Sequence, residues 1–292
     1  LAKPLTIPLG SPAIFEFRGP DATRFLNGQV TQDVRLVTGS TKALPSCITD
    51  AKGRLQFRVY VMAAPEDEGL WVLGPAERAD DLEARLTRYL IADDVEVRNL
   101  CGCYLLTHLI PPPEAEMPAT ILRESRRFGE VGADCLVPVG AIGDFGPDRT
   151  LLEGDALEHF RISRGIPAWG AELVENLLPP EAGLDRTDIS YAKGCYIGQE
   201  VISRIKSAGK VNRTLMVFLL DSSAPAAAGD ALVGPTSDAG ILTSVSPIEE
   251  NGRRVALGYV KRGADSTSLR FRDAQGIEHP APLASLPMGR DS

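Results

Sequence analysis

A cysteine set between a lysine and two glycines, in the run Lys193-Gly194-Cys195-Tyr196-Ile197-Gly198-Gln199-Glu200, gives this chain the ingredients of a reactive thiol. Downstream, Val201, Ile202 and Ile205 share one face at helical spacing, Glu200 and Arg204 stand four apart, and Gly209 offers a stop. The spacing predicts a helix that begins just after Cys195. Free N–H groups and the positive end of a helix dipole favour a thiolate there, and the ammonium of Lys193 adds to the effect if it points the same way. Cys195 then reads as a nucleophile or a sulfur ligand. The alternative for the same residue is a small buried hydrophobe, with Gly194 and Gly198 present for backbone angles or close approach.

The other chemistry-bearing residues are more dispersed. Cys47, Cys101, Cys103, Cys135 and Cys195 are an odd number of cysteines spread along 292 residues, unlike a secreted disulfide framework, and reduced thiols are expected. Cys101 and Cys103 form a C-x-C before Tyr104-Leu105-Leu106, where strand alternation would point both at one face and core filling is the expected role. His108, His159 and His279 occur singly, so neither a zinc site nor a His-based nucleophile pair is proposed. Asp50, in Thr49-Asp50-Ala51-Lys52-Gly53-Arg54, reads either as a catalytic carboxylate or as a hairpin-turn residue.

These residues need elements to position them. Ala13 to Phe17 reads as a strand, followed by Gly19-Pro20-Asp21 capping a helix to about Asn27. Leu55 to Met62 and Leu70 to Leu73 alternate as strands. A helix with Leu82, Leu86, Tyr89 and Leu90 on one face follows Pro75, and a strand begins at Val95 and Val97. This β-α-β-β-α-β-like order predicts an α+β unit with helices on one face of a sheet. Pro111-Pro112-Pro113 with 114–118 reads as a linker, and a second α+β segment then runs to about Ala208. Inside it, Asp155 and Glu158 resemble a capping box, with Gly165 and Pro167 ending that helix. From Arg213 onward, strands at Leu215–Leu220, Ile241–Val245, Val255–Val260 and Leu269–Phe271 predict a small C-terminal β-barrel.

The octapeptide at 193–200, read as K-G-C-Y-x-G-Q-E, resembles the signature of the YgfZ family, folate-binding proteins linked to iron-sulfur cluster maturation and related to the glycine-cleavage T-protein. The likeness continues in order. Phe25 to Val34 resembles the family's F-L-x-G-Q-x-T-x-D-V element, and Asp50 to Arg54 its D-x-K-G-R turn. Arg164-Gly165-Ile166-Pro167, Leu178 to Leu184 and Ala256 to Val260 resemble R-x-G-I-P, L-P-x-E-A-G-L and A-L-G-Y-V. The resemblance implies a T-protein-like α+β fold, with two α+β lobes around a central folate cavity and a small C-terminal β-barrel. On that plan 1–110 is the N-terminal folate-binding lobe, 111–212 the second α+β segment with the signature, and 213–292 the barrel.

The resemblance also assigns roles. A pterin offers an N–H and an adjacent amino group that one carboxylate accepts together. Glu181, in the L-P-P-E-A-G-L element, is the residue implied for that contact with tetrahydrofolate or a derivative; first-turn helix carboxylate is its other reading. Arg204, Lys206, Lys210 and Arg213 are candidates for the acidic glutamyl tail, or else a solvated helix face. Cys195 would be the reactive thiol or transient sulfur ligand, Lys193 its electrostatic neighbour, and Tyr196, Gln199 and Glu200 ligand contacts or fixers of the local backbone. A stable cluster usually wants about four cysteine ligands, so a role with clusters is expected to be indirect or transient, with client or assembly proteins as partners. T-proteins carry a Gly-Gly-x-x-Asp-Asp type sequence near Asp50 and no cysteine at the place of Cys195, departures that weigh against aminomethyl transfer. The expected function is therefore support of iron-sulfur cluster assembly or repair, with an indirect link to tRNA modification. The alternatives are a folate-dependent one-carbon transferase that depends on Asp50, and a non-catalytic interaction module.

Composition bounds these readings. With 43% hydrophobic residues the chain can bury one large core or two modest ones. A net charge of −8 argues against sequence-independent nucleic-acid binding, and direct tRNA contact is not expected. No apolar run reaches the roughly 20 residues that span a bilayer, and the first residues lack the pattern of a signal peptide, so a cytoplasmic location is expected.

Overall fold

The computed structural model describes residues 3–65, 69–114, 117, 119–141, 143, 145–146, 148–235 and 238–284. The chain divides into two compact units, residues 1–152 with 185–203 and residues 153–184 with 204–292.

The first unit contains, in chain order, β1 (Leu5–Gly10), β2 (Ala13–Arg18), α1 (Ala22–Gln29), β3 (Ala43–Thr49), β4 (Leu55–Ala63), β5 (Leu70–Gly74), α2 (Ala79–Thr87), β6 (Glu96–Asn99), β7 (Tyr104–Ile110), β8 (Ile121–Ser125), β9 (Gly132–Pro138) and β10 (Thr150–Leu151). They make two five-stranded sheets, ordered β3-β4-β5-β2-β6 and β10-β1-β7-β9-β8. Both faces of the first sheet are covered toward the end of β4, which explains why the strand alternates at Leu55-Gln56-Phe57-Arg58-Val59 and then runs on apolar through Ala63. Phe57, Val59 and Val61 pack with Phe15, Phe17, Phe25, Leu26, Leu82 and Leu86 on the helical side. Tyr60 and Met62 face the other way, into a cluster with Trp71 of the same sheet and Leu106 and Leu136 of the second. The sequence pattern anticipated the helical side; the covering sheet was not foreseen.

Two strands escaped the sequence reading for the same reason, an internal proline. In β3, Pro45 is tolerated because the strand lies at the sheet edge, and in β1, Pro8 lies beyond the two residues that pair with β10. Capping differs in detail as well. Asp21 occupies the N-cap of α1 without a cap bond; its carboxylate instead accepts from Asp94 N and pairs with Arg24.

The expected boundary at residue 110 is corrected by the strand pairing. Ile110 of β7 pairs with Leu5, and β7 pairs with β9 beyond the prolines, so Pro111-Pro112-Pro113 connects strands of one sheet; residues 115, 116 and 118 of that stretch lie outside the described residues. The strand placement of Cys101 and Cys103 is corrected too, for they lie in a turn before β7; half-buried Cys101 packs against the helical-side core as expected, whereas Cys103 is exposed.

The second unit holds α3 (Gly154–Ser163) and the strands β11 (Arg213–Asp221), β12 (Ala231–Val233), β13 (Asp238–Val245), β14 (Arg253–Lys261), β15 (Arg270–Arg272) and β16 (Glu278–Pro280). The helix α4 (Gln199–Ala208) straddles the division. The six strands form one sheet ordered β11-β14-β13-β12-β15-β16. Just past β16 the chain returns to the opposite edge, where Leu219 N donates to Pro282 O and Ala284 N to Val217 O. The sheet thereby curls toward the barrel expected from the sequence, around Phe218, Leu220, Leu232, Leu242 and Phe271. In α3 the N-cap is Glu153 and not Asp155, because Glu158 turns its carboxylate to Arg161 instead of back to the helix start.

Candidate functional site

The signature run is held as a strap against the end of α1. Phe25 and Leu26 bury one face of α1, while its carbonyl end carries no basic residue of its own in the last turn. A helix end presents carbonyls without intrahelical partners and the negative pole of the dipole, a setting that calls for a cation. Lys193 supplies it from a remote segment, its Nζ donating to Asn27 O at 2.6 Å, Val30 O at 2.6 Å and Gln32 O at 2.8 Å. Burial pulls the pKa of Lys193 down to about 7, with Asp33 opposing that pull. The three carbonyls oppose it too, since an ammonium has a donor for each and a neutral amine only two.

Further bonds run along the strap. Gln32 Nε2 donates to Thr187 O, Thr31 Oγ1 to Asp188 O, Ser190 N to Thr31 O and Ile197 N to Gly28 O. Thr49 Oγ1 takes the carbonyl of Ile197 at 2.5 Å. Gly198 then passes so close to the Asp50 turn, at φ +87°, that a Cβ would stand 2.5 Å from Asp50 O and 2.9 Å from Gly53 Cα. No side chain fits there, which is the physical reason for glycine.

Within this strap Lys193 and Tyr196 are buried and Cys195 is exposed. The buried-hydrophobe reading of Cys195 is thereby corrected. Cys47 and Cys135 take that part instead: burial pushes the Cys47 thiol well above its ordinary value and the Cys135 thiol up to about 12, keeping both protonated at neutral pH. Lys193, expected as the thiol's electrostatic neighbour, spends its three donors on carbonyls at and just beyond the end of α1. Tyr196 packs with Ile189 and Ile202, 5.2 Å from ring centroid to Lys193 Nζ, and its hydroxyl has no hydrogen-bond partner among the described residues. Gln199 is half-buried, with its N–H donating to Tyr196 O; Glu200 and Arg204 are exposed on α4, Glu200 in the first turn where the helix dipole suits a carboxylate.

Asp50 is bonded as a turn residue. Its Oδ1 accepts from Lys52 N at 2.8 Å and Arg54 N at 2.9 Å, while Gly53 N donates to its carbonyl. The residue that sequence reasoning missed is Arg85. It is buried, reaches Gln56 Oε1, Gln29 Oε1 and Thr49 O, and so props two residues next to the strap. Its place in α2 four residues before Tyr89, whose ring it covers at 5.5 Å, reads from sequence as an ordinary helix-surface pair.

In the second unit Glu181 lies on a short 3-10 turn, Pro179–Ala182, begun by two prolines and closed by Gly183 in the left-handed region at φ 72°. Its first-turn reading is thus accurate as local structure. The carboxylate is 5% exposed and accepts from Arg213 Nε at Oε2, 3.1 Å away; Oε1 has no hydrogen bond among the described residues. Arg213, expected among the cations for an acidic tail, is therefore paired with Glu181, and its guanidinium lies 4.5 Å over the ring of Tyr259. Tyr259 in turn donates to the carbonyl of fully buried Glu172. A carboxylate oriented from one side with an oxygen left over suits a ligand that presents N–H donors.

No family model matches the chain. It is 28% identical over 254 residues to the mitochondrial iron-sulfur cluster assembly factor IBA57 of Mus musculus, covering 75% of this chain and 67% of that one. To an IBA57 homolog of Pyricularia oryzae it is 27% identical over 226 residues, covering 73% and 56%. A putative chloroplastic transferase of Arabidopsis thaliana is 36% identical over 176 residues, covering 57% of this chain and 39% of that one. About a third or more of each of these relatives lies outside the matched stretch. Among solved structures, the glycine cleavage system aminomethyltransferase T from Bartonella henselae superposes with a TM-score of 0.80 at 17% identity, covering 98% of this chain and 86% of that one.

Proposed function

We propose that this chain, a relative of the IBA57 and YgfZ factors with the T-protein fold, binds a reduced folate and supports assembly or repair of iron-sulfur clusters in client enzymes. The observation that carries the reading is the exposure of Cys195 on a strap that Lys193, Ile197 and Gly198 fix against α1 and the Asp50 turn. Exposed and fixed at its flanks, a thiol can meet a sulfur or iron centre on another protein, as an indirect or transient ligand. Cys195 does this chemistry, Lys193 and Gly198 position it, and a tRNA-modification link follows through the client enzymes.

Folate fits the residues present to the extent that Glu181 is buried, oriented by Arg213 and has Oε1 to spare. When bound, tetrahydrofolate supplies a one-carbon carrier; Glu181 would hold its pterin, with Arg204 a candidate for the acidic tail. Tyr196, Gln199 and Glu200 remain proposed contacts. A second reading, folate-dependent one-carbon transfer, is favoured by the fold alone and needs a carboxylate that Asp50 uses in a turn. Among the described residues no helix is long and apolar enough to cross a membrane. The relatives carry mitochondrial and chloroplastic names, so a cytoplasmic location rests on the sequence reading alone. Calorimetric titration of tetrahydrofolate under reducing, anaerobic conditions tests the folate half: saturable binding by the wild type and its loss in Glu181→Ala is the expected result. No binding by the wild type would remove folate from the function.

A further inference from the structure

The first unit carries a second set of unspent donors, remote in sequence from the signature. Arg58 and Tyr60 project from the same face of β4, and Arg127 comes from the stretch between β8 and β9. The side chains of Arg58 and Arg127 are 17% and 13% exposed, and Tyr60 is 7% exposed. Both guanidiniums lie over the Tyr60 ring, with Arg127 Cζ 3.6 Å and Arg58 Cζ 5.8 Å from its centroid.

Each guanidinium is fixed by a fully buried carboxylate. Asp188 accepts from Arg58 Nε at 2.6 Å and Nη2 at 3.2 Å, and Asp134 accepts from Arg127 Nε at 2.8 Å on both oxygens. Thr187 Oγ1 donates to Asp188, and His108 Nδ1 lies 2.8 Å from Asp134 Oδ1, so the carboxylates are themselves anchored. Those bonds leave donors over. Arg127 Nη2 is buried without a partner, and among the described residues neither Arg127 Nη1, Arg58 Nη1 nor the Tyr60 hydroxyl makes a hydrogen bond. Leaving Arg127 Nη2 unmet in a buried setting costs free energy that a structural role would have removed by pairing it. Guanidiniums oriented by carboxylates, with outer amino groups free, suit a planar or tetrahedral oxyanion.

We propose that Arg58, Tyr60 and Arg127 form a binding site for an oxyanion, the carboxylate or phosphate group of a small ligand. The two buried acids balance the two guanidiniums, so binding comes from directed hydrogen bonds more than from net charge, and salt affects it weakly. The site does not depend on folate binding, for none of its residues is among those assigned to the pterin.

The test is side-chain NMR of the Arg58 and Arg127 Nε–H groups in the full chain, titrated separately with inorganic phosphate and with glutarate. At least one anion is expected to shift both resonances saturably. Tyr60→Phe, which removes only the hydroxyl, should weaken binding about tenfold, the effect of one lost charge-assisted hydrogen bond, and Arg127→Lys should abolish it. Response to phosphate alone assigns a phosphoryl ligand, and response to glutarate alone a carboxylate. Absence of any shift with either anion would overturn the proposal, as would unchanged affinity in Tyr60→Phe, a variant that keeps the ring under both guanidiniums.

Discussion

Lys193 shows how a residue picked for its chemistry can serve as architecture. Its place two residues before a cysteine suggests an electrostatic helper, and nothing in the sequence says that α1 lacks a cation at its carbonyl end. The structure resolves this through three acceptors on one Nζ. Substituting Lys193 by Met leaves those carbonyls without their donor in a buried setting and should cost about 2–4 kcal/mol of stability. Urea unfolding checks the cost, and the rate of Cys195 modification by a thiol reagent should change with it, because the strap loses its clip. Glu181 was legible in the sequence as a carboxylate after two prolines, whereas its Arg213 and Tyr259 partners were not, since they come from strands 32 and 78 residues further on.

At the level of elements, helices and apolar strands were readable where periodicity was clean, as in β4, β5, α2, α4 and β14. Strands with internal proline were not, and neither was the second sheet, in which β1 brings Leu5 beside Ile110 of β7 and Thr150 of β10. In that sheet β7 and β9 place His108 and Asp134 opposite one another. Burial pushes the Asp134 carboxyl up, but Arg127 and His108 more than offset it and hold the pKa below the ordinary carboxylate value. A carboxyl depressed by folding contributes stability that is present above its unfolded pKa, about 4, and is lost as pH falls through the folded value. The stability difference between wild type and Asp134→Asn should therefore be constant above about pH 5 and shrink as the pH drops below about 4. Urea midpoints across that range test it; a difference that stays constant into acid would show that the pair contributes no proton-linked stability.

For the whole molecule, the motif order made the T-protein fold legible, and the superposition with aminomethyltransferase T bears it out. The unit boundaries were not legible, because residues 185–203 return to the first unit through hydrogen bonds that a linear reading cannot place. That return is what brings the signature beside the Phe25–Val34 element and the Asp50 turn, so three motifs far apart in sequence become one assembly. Its exposed product is Cys195, and the account stands or falls with it. The direct measurement is the activity of an iron-sulfur client enzyme in cells supplied with either the wild-type chain or Cys195→Ser, alongside thermal unfolding of both proteins. Client activity should be lost with the serine variant while its stability stays within about 0.5 kcal/mol of wild type, as for an exposed substitution. Full client activity with a folded Cys195→Ser protein would contradict the thiol mechanism.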